Sequence, residues 1–192
     1  KKCYIKSSDG DNIQAKRVII EDGGEYILFH DVAGCFSSEK LAFLDGSSLS
    51  FSSKKAVWDA NNGVLSMHKN ASIEQSSGMR IEAEGLIRII RDDNPAAAHI
   101  VKDVQSEGRT TLVFGVEERQ EITCSGGMHI DYQRLQAELY SDKDADEQVK
   151  FCDATGEIYG DNVVIHYTFV DEGLVPKEIF VTGNVRVVEK GE

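Results

Sequence analysis

The sequence predicts an all-β chain of many short strands, and three observations predict it. Apolar side chains alternate with polar ones at a period of two along most of the length. Clusters of Gly, Asn, Asp and Ser interrupt that alternation at short intervals. A glycine-led motif recurs five times, which is the mark of a repeat architecture.

In each copy a glycine is followed three and five residues later by two apolar residues. Gly10 leads to Ile13 and Ala15, Gly46 to Leu49 and Phe51, and Gly78 to Ile81 and Ala83. Gly127 leads to Ile130 and Tyr132, and Gly160 to Val163 and Ile165. An acidic or amide residue followed by Val or Ala answers each glycine 21 to 26 residues later: Asp31-Val32, Asn70-Ala71, Asp103-Val104, Asp153-Ala154 and Asn184-Val185. From each of these pairs to the next glycine the distance runs from 7 to 24 residues. A rung of constant width with loops inserted at one edge behaves this way.

The strands follow in order. Ile13 and Ala15, Ile81 and Ala83, and Ile130 and Tyr132 take one face of their segments, with polar residues between them. Leu65, Met67, Ala71 and Ile73 share a parity, as do Ile179, Val181, Val185 and Val187. Thr110-Thr111-Leu112-Val113-Phe114 reads as an additional strand within the long stretch 104–126. Asp22-Gly23-Gly24, Asp45-Gly46-Ser47-Ser48, Asn61-Asn62-Gly63, Ser76-Ser77-Gly78, Gly126-Gly127, Gly160-Asp161-Asn162 and Gly183-Asn184 supply turns. Pro95 and Pro176 are expected between strands, where a missing donor is harmless. Residues 133–140 carry Leu135 and Leu139 four apart but no N-cap, so the segment is read as a continuing strand. The acidic stretch 141–148 reads as a solvated hairpin tip, with shorter tips at 92–95 and 171–176. Val149 and Phe151 hold the opposite phase to other copies, which a β-bulge near Cys152 would restore.

The 192 residues suit a single domain, 1–192, built from about five repeats, and a hydrophobic fraction of 41% supplies a sizeable core. With 21 basic against 33 acidic residues the net charge is −12, which argues against a nucleic-acid partner and against docking flat on an anionic membrane. No stretch reaches the roughly 20 apolar residues of a membrane-spanning helix. No signal peptide is visible at Lys1, so the chain is expected in mature form. Cys3, Cys35, Cys124 and Cys152 form no CxxC pair, which argues against a zinc or thioredoxin-like site; they are buried thiols or disulfides in one of three full pairings. His30, His68 and His99 precede the Asp or Asn of their copies, and stacking would spread them along an edge together with His129 and His166 rather than gather them on a metal. No nucleophile elbow, phosphate loop or zinc-protease motif is present, and the carboxylates fall on outward strand positions or loop tips. The expectation is a non-enzymatic protein with no cofactor and no metal.

Gly160-Asp161-Asn162-Val163-Val164-Ile165-His166-Tyr167, followed by Val181-Thr182-Gly183-Asn184-Val185-Arg186-Val187, resembles the repeat of the OstA/LptA family, with Lys69-Asn70-Ala71 and His30-Asp31-Val32 as degraded versions. That family comprises periplasmic lipopolysaccharide-transport proteins, with LptC and the N-terminal domain of LptD as relatives, and the resemblance spans about residues 10–188. It implies an elongated, twisted open β-jellyroll of two facing antiparallel sheets that diverge along one side. It also implies a periplasmic carrier that holds the acyl chains of lipopolysaccharide or a related glycolipid between the sheets. Other Lpt-type jellyrolls, or a second copy joined end to end by strand addition, would be its protein partners. Burying acyl chains gains about 0.8 kcal/mol per methylene, so such a slot needs no directional chemistry. Its expected lining is the inward set Ile13, Leu28, Val32, Leu49, Phe51, Met67, Ile73, Ile81, Ala83, Ile100, Ile130, Tyr132, Val163, Ile165 and Val181, with Lys54, Lys55, Arg80, Arg88 and Lys102 as a basic lip. Two other readings stand beside it. One is a structural or adhesive β-solenoid with a closed core and binding through outer loops. The other, a carbohydrate-active β-helix enzyme, needs a catalytic cluster on adjacent outer rungs.

Overall fold

The chain is described by a computed structural model over residues 2–6, 11–36, 48–76, 78–92, 101–115, 119–170 and 173–189, with backbone alone at 169–170 and 173–175. Gly10, Gly46, Pro95, His99 and Ile100 of the sequence reading lie outside the described residues. The elements are strands β1(Cys3–Lys6), β2(Asn12–Glu21), β3(Tyr26–Phe36), β4(Leu49–Asp59), β5(Val64–His68), β6(Ala71–Gln75), β7(Arg80–Ala83), β8(Leu86–Arg91), β9(Val101–Glu107), β10(Thr110–Phe114), β11(Gln120–Cys124), β12(Gly127–Asp131), β13(Gln136–Tyr140), β14(Val149–Cys152), β15(Gly156–Gly160), β16(Asn162–Val170), β17(Gly173–Thr182) and β18(Arg186–Glu189). Every pairing is antiparallel, the all-β outcome that the alternation predicts, and 133–140 yields strand rather than helix.

The pairings resolve into two layers. The first runs β1, residues 12–15 of β2, 32–36 of β3 and 49–53 of β4, then β6, β7, β10, β11, β14, β15 and β18. The second runs 17–21 of β2, 26–30 of β3 and 55–59 of β4, then β5, β8, β9, β12, β13, β16 and β17. Strands β2, β3 and β4 belong to both layers, so the sheet bends through them and does not close into a barrel.

The bend is a line of corners. Three of the five Asp or Asn residues that end the sequence repeat sit on it in the left-handed region: Asp31 at φ 45°, Asn70 at 53° and Asn184 at 43°, with Lys69 at 62° beside Asn70. Asn and Asp tolerate that conformation better than other residues with a side chain. The corners bond to one another: Lys69 N–H donates to Gly85 O at 2.8 Å, Gly108 N–H to Gly126 O at 3.2 Å, Gly126 N–H to Tyr140 O at 3.0 Å and Asp161 N–H to Thr182 O at 2.8 Å. The ladder thus continues through the bend and leaves few backbone groups to bury unpaired. The other two repeat residues do different work. Asp103 is mid-strand and meets His129 Nε2 at 2.8 Å, and Asp153 caps a hairpin by accepting from the N–H groups of Thr155 and Gly156 at 2.7 and 3.0 Å.

Several expectations change here. The β14–β15 register is unbroken from Val149↔Gly160 to Cys152↔Glu157, so no bulge lies near Cys152. Residues 141–148 join β13 in the second layer to β14 in the first, so they are a crossover rather than a hairpin tip. Pro176 falls inside β17, where the register slips opposite His166/Tyr167; a bulge in a strand bonded only to β16 among the described residues needs no proline donor.

Side-chain size grades with distance from the bend. Next to it the first layer places Ala15, Val32, Ser53, Ala71, Ala83, Thr110 and Cys124 in adjacent strands. One inward step away come Phe51, Ile73, Ile81, Leu112, Ile122 and Phe151. Small residues let the layers converge at the bend, and large ones fill the widening space between them, so the interior is a wedge. The core draws on both layers, with Ile81, Ile87, Leu112, Ile122, Leu139, Val163 and Ile165 all wholly buried. Ser106 and Thr110 are buried at one corner with their hydroxyls 2.8 Å apart, and Thr110 also donates to Gly108 O at 3.0 Å.

Two substitutions test the bend. Asp31 accepts exposed ion pairs from Lys54 at 3.5 Å and Lys16 at 3.8 Å. Asp31→Asn removes them but keeps the left-handed residue and is expected to cost within about 1 kcal/mol in urea unfolding, whereas Asp31→Val is expected to cost about 1–3 kcal/mol. Equal losses in the two variants would mean that charge, not conformation, holds the corner. Gly127 has φ 138°, and a Cβ there would lie 2.3 Å from Ser106 O; Gly127→Ala is expected to lose at least about 2 kcal/mol, and a neutral result would refute the close approach.

Candidate functional site

At the N-terminal end of the stack the wedge is not filled, and a cavity of about 280 Å³ remains. The first layer lines it with Ile5, Asp11, Ile13, Phe36 and Phe51, and the second with Ile27, Phe29, Trp58, Leu65, Ile89 and Arg91. Hydrocarbon and aromatic surface therefore faces the space from both sides. Asp11 and Arg91 supply the only ionisable groups of this lining. The rim reaches solvent, since Ile5 is 40% exposed and Arg91 is exposed as well.

Gly34 helps to make the room. It lies between Ile13 and Phe51 in one cross-strand row of the first layer. A Cβ at Gly34 would fall 2.6 Å from Phe51 Cζ and 2.8 Å from Asn12 O. With no side chain there, the Phe51 ring lies over the strand and stacks on Phe36, their centroids 4.7 Å apart. Across the gap, the Arg91 guanidinium sits 5.9 Å from the Trp58 ring centroid, which holds a cation at the mouth over an aromatic face.

The chemistry of the site is that of an apolar receptacle. Cavities of about 150 Å³ lined by Leu, Ile and Phe stay dry and take up benzene, and this one is nearly twice that size. Perturbed titratable groups lie in the packed interior or on outer faces. Burial pushes the Tyr132 and Tyr167 hydroxyls and the Cys124 thiol up, which keeps all three neutral. Burial, with Lys55 and Arg88 nearby, lowers His68, and the hydrogen bond that Lys150 donates to Glu157 raises Lys150. The four cysteines are all free thiols. Among the described residues no group of three His, Cys, Asp or Glu is placed to hold a metal ion.

Of the expected lining, Ile13 and Phe51 face the cavity. Val32, Leu49, Met67, Ile73, Ile81, Ala83, Ile130, Tyr132, Val163 and Ile165 are buried in the packed core behind it, and Val181 packs against that core half-buried. Leu28 points to the outer face of β3. The left-handed Asp31 inverts the strand phase, so Ile27 and Phe29 face inward on one side of it and Val32 on the other. The basic lip is also corrected. Arg80 lies on the outer face of the first layer, paired with Glu82, while Arg88 lies outside the second, paired with Glu107 at 3.0 Å, and Lys54 is engaged at the Asp31 corner. Arg91 is the cation at the mouth. Its parity with Ile87 and Ile89 is the signal that the sequence carries for it. Ile5, Ile27, Phe29, Phe36, Trp58, Leu65 and Ile89 were missed for want of the register.

No protein-family model and no curated protein matches this sequence. Among solved structures the chain is similar to the crystal structure of LptH, described as the LptA-homologous periplasmic component of the conserved lipopolysaccharide transport device from Pseudomonas aeruginosa. The match has a TM-score of 0.53 at 12% sequence identity and covers 74% of this chain and 95% of that one. The fold is thus the open, antiparallel β-jellyroll of LptA-type proteins.

Proposed function

We propose that this chain is a non-enzymatic, periplasmic lipopolysaccharide-binding transport protein that shields acyl chains in its slot and helps to bridge the inner and outer membranes. The observation that carries this reading is the hydrocarbon-lined cavity between the two layers of an LptA-type fold. Ile13 and Phe51, joined by Ile27, Phe29, Trp58, Leu65 and Ile89, form its acyl-binding wall. The gain on filling it is non-directional, about 0.8 kcal/mol per buried methylene, which suits a lipid bound by its tails. Among the described residues no helix is long and apolar enough to cross a membrane.

Both ends of the stack fit end-to-end assembly. At the N-terminal end Tyr4 is 68% and Ile20 is 65% exposed; at the C-terminal end Val187 is 63% and Phe180 is 48% exposed. Strands β1 and β18 each bond to one neighbour among the described residues, so each presents a free edge to an added strand. The partner is a second copy or another jellyroll of this type. The densely packed core behind the slot favours the second reading, a closed structural β-solenoid acting through its outer loops, and the same experiment separates the two.

Trp58 is the single tryptophan of the chain and lines the slot, so it reports directly on occupancy. Lipopolysaccharide is expected to shift its emission, and photo-crosslinkers at Ile13 and Phe51 are expected to capture the lipid. Unchanged Trp58 emission together with no crosslink at either position would overturn the carrier reading in favour of the closed scaffold.

A further inference from the structure

The outer face of the first layer carries a second cavity, of about 320 Å³. Its floor is one cross-strand row, Thr123, Lys150, Tyr159 and Arg186, on strands β11, β14, β15 and β18. These residues alternate with the inward Ile122, Phe151 and Ile158, so their side chains point away from the slot. The crossover 141–148 walls the cavity with Asp146 and Glu147, and Arg109 adds a wall from the corner between β9 and β10. That crossover is tied down. Asp142 N–H donates to Ser125 Oγ at 2.9 Å, and Gln148 Nε2 donates to Asn184 O at 2.9 Å and to Asp161 Oδ1 at 3.2 Å.

The charges of this cavity are not evenly matched. At the β18 end the Arg186 guanidinium lies 4.0 Å from the Tyr159 ring centroid, and Lys150 Nζ lies 5.9 Å from the same centroid. Lys150 gives one of its three donors to Glu157 at 2.6 Å. Arg186 meets no carboxylate among the described residues, so its planar fork of N–H donors is available to a ligand. At the β10 end Arg109 donates to both oxygens of Glu147, at 3.3 and 3.4 Å.

We propose that this cavity binds a phosphorylated sugar, with the phosphoryl group on Arg186 and Lys150 and the sugar hydroxyls toward Asp146 and Glu147. Phosphate oxygens accept hydrogen bonds, and a guanidinium fork meets two of them at once. Carboxylates accept from hydroxyls and repel an anion, which fixes the direction of the ligand. The space exceeds what a bare phosphate needs and falls in the range of small-molecule pockets. Tyr159 is a positioning residue: its ring orients Arg186, while its hydroxyl donates to Glu157 at 2.5 Å. The first layer separates this site from the slot, so the proposal does not rest on the carrier reading.

The test follows the amide NMR signals of Thr123, Lys150, Tyr159 and Arg186 at low ionic strength, where screening is weakest. The protein is titrated with glucose 6-phosphate, with glucose and with inorganic phosphate. Glucose 6-phosphate is expected to move these signals saturably, to bind more tightly than inorganic phosphate and to leave Trp58 emission unchanged. Glucose is expected to move none of them. Arg186 is exposed on β18, and Arg186→Gln is expected to weaken binding at least about tenfold. Tyr159→Leu is expected to weaken it comparably, whereas Tyr159→Phe keeps the ring and retains binding. Undiminished binding in Arg186→Gln, or signals that neither phosphate probe moves, would overturn the site. Inorganic phosphate binding as tightly as glucose 6-phosphate would overturn the sugar assignment. The carrier reading is tested at Trp58 and stands or falls apart from these outcomes.

Discussion

The whole structure depends on a bend that keeps its hydrogen bonds. A sheet this wide must fold over to bury one face, and a strand that simply breaks at the fold would leave its polar groups unpaired. Here left-handed residues such as Asp31 and Asn70 and glycine-containing corners make much of the turn, and from Lys54 onward backbone bonds link neighbouring corners. Asp31 carries the constraint most visibly, because β3 passes through it without interruption between the two layers.

The other architectural features follow from that line. Layers joined along one side can only separate toward the other, so side chains must grow with distance from the bend. The progression from Ala15, Ala71 and Ala83 beside the corners to Phe51, Ile73 and Ile81 further out meets this need. Where the growth fails, space remains. Gly34 interrupts the row that Ile and Phe occupy in neighbouring strands, and the cavity lies at that end of the stack.

Charge is arranged around the apolar interior rather than within it. Lys16 and Lys54 meet Asp31, Arg88 meets Glu107 and Lys150 meets Glu157 at 2.6 Å, all on outer faces or corners. Such exposed pairs contribute little stability individually. Their effect here is to engage several of the basic residues of a strongly acidic chain locally, while Arg91 stays over Trp58 at the mouth of the slot.

What the sequence determined by itself was the kind of element and the rhythm of the rungs. Alternation is a local property, so Ile81 with Ala83 and Ile130 with its polar neighbours declare strands without reference to partners. The repeated Asp or Asn also announces a place where the backbone does something unusual, as Asp31, Asn70 and Asn184 show. The tertiary structure alone decided which side of each strand faces the slot. One left-handed residue inverts every later side chain, so Ile27 and Phe29 face inward before Asp31 and Val32 after it, on the strength of a dihedral angle that alternation does not encode. It also decided where the interior stays empty, because a cavity is the difference between two layers' side-chain volumes, and that difference exists only once Gly34, Phe51, Trp58 and Ile89 are brought face to face.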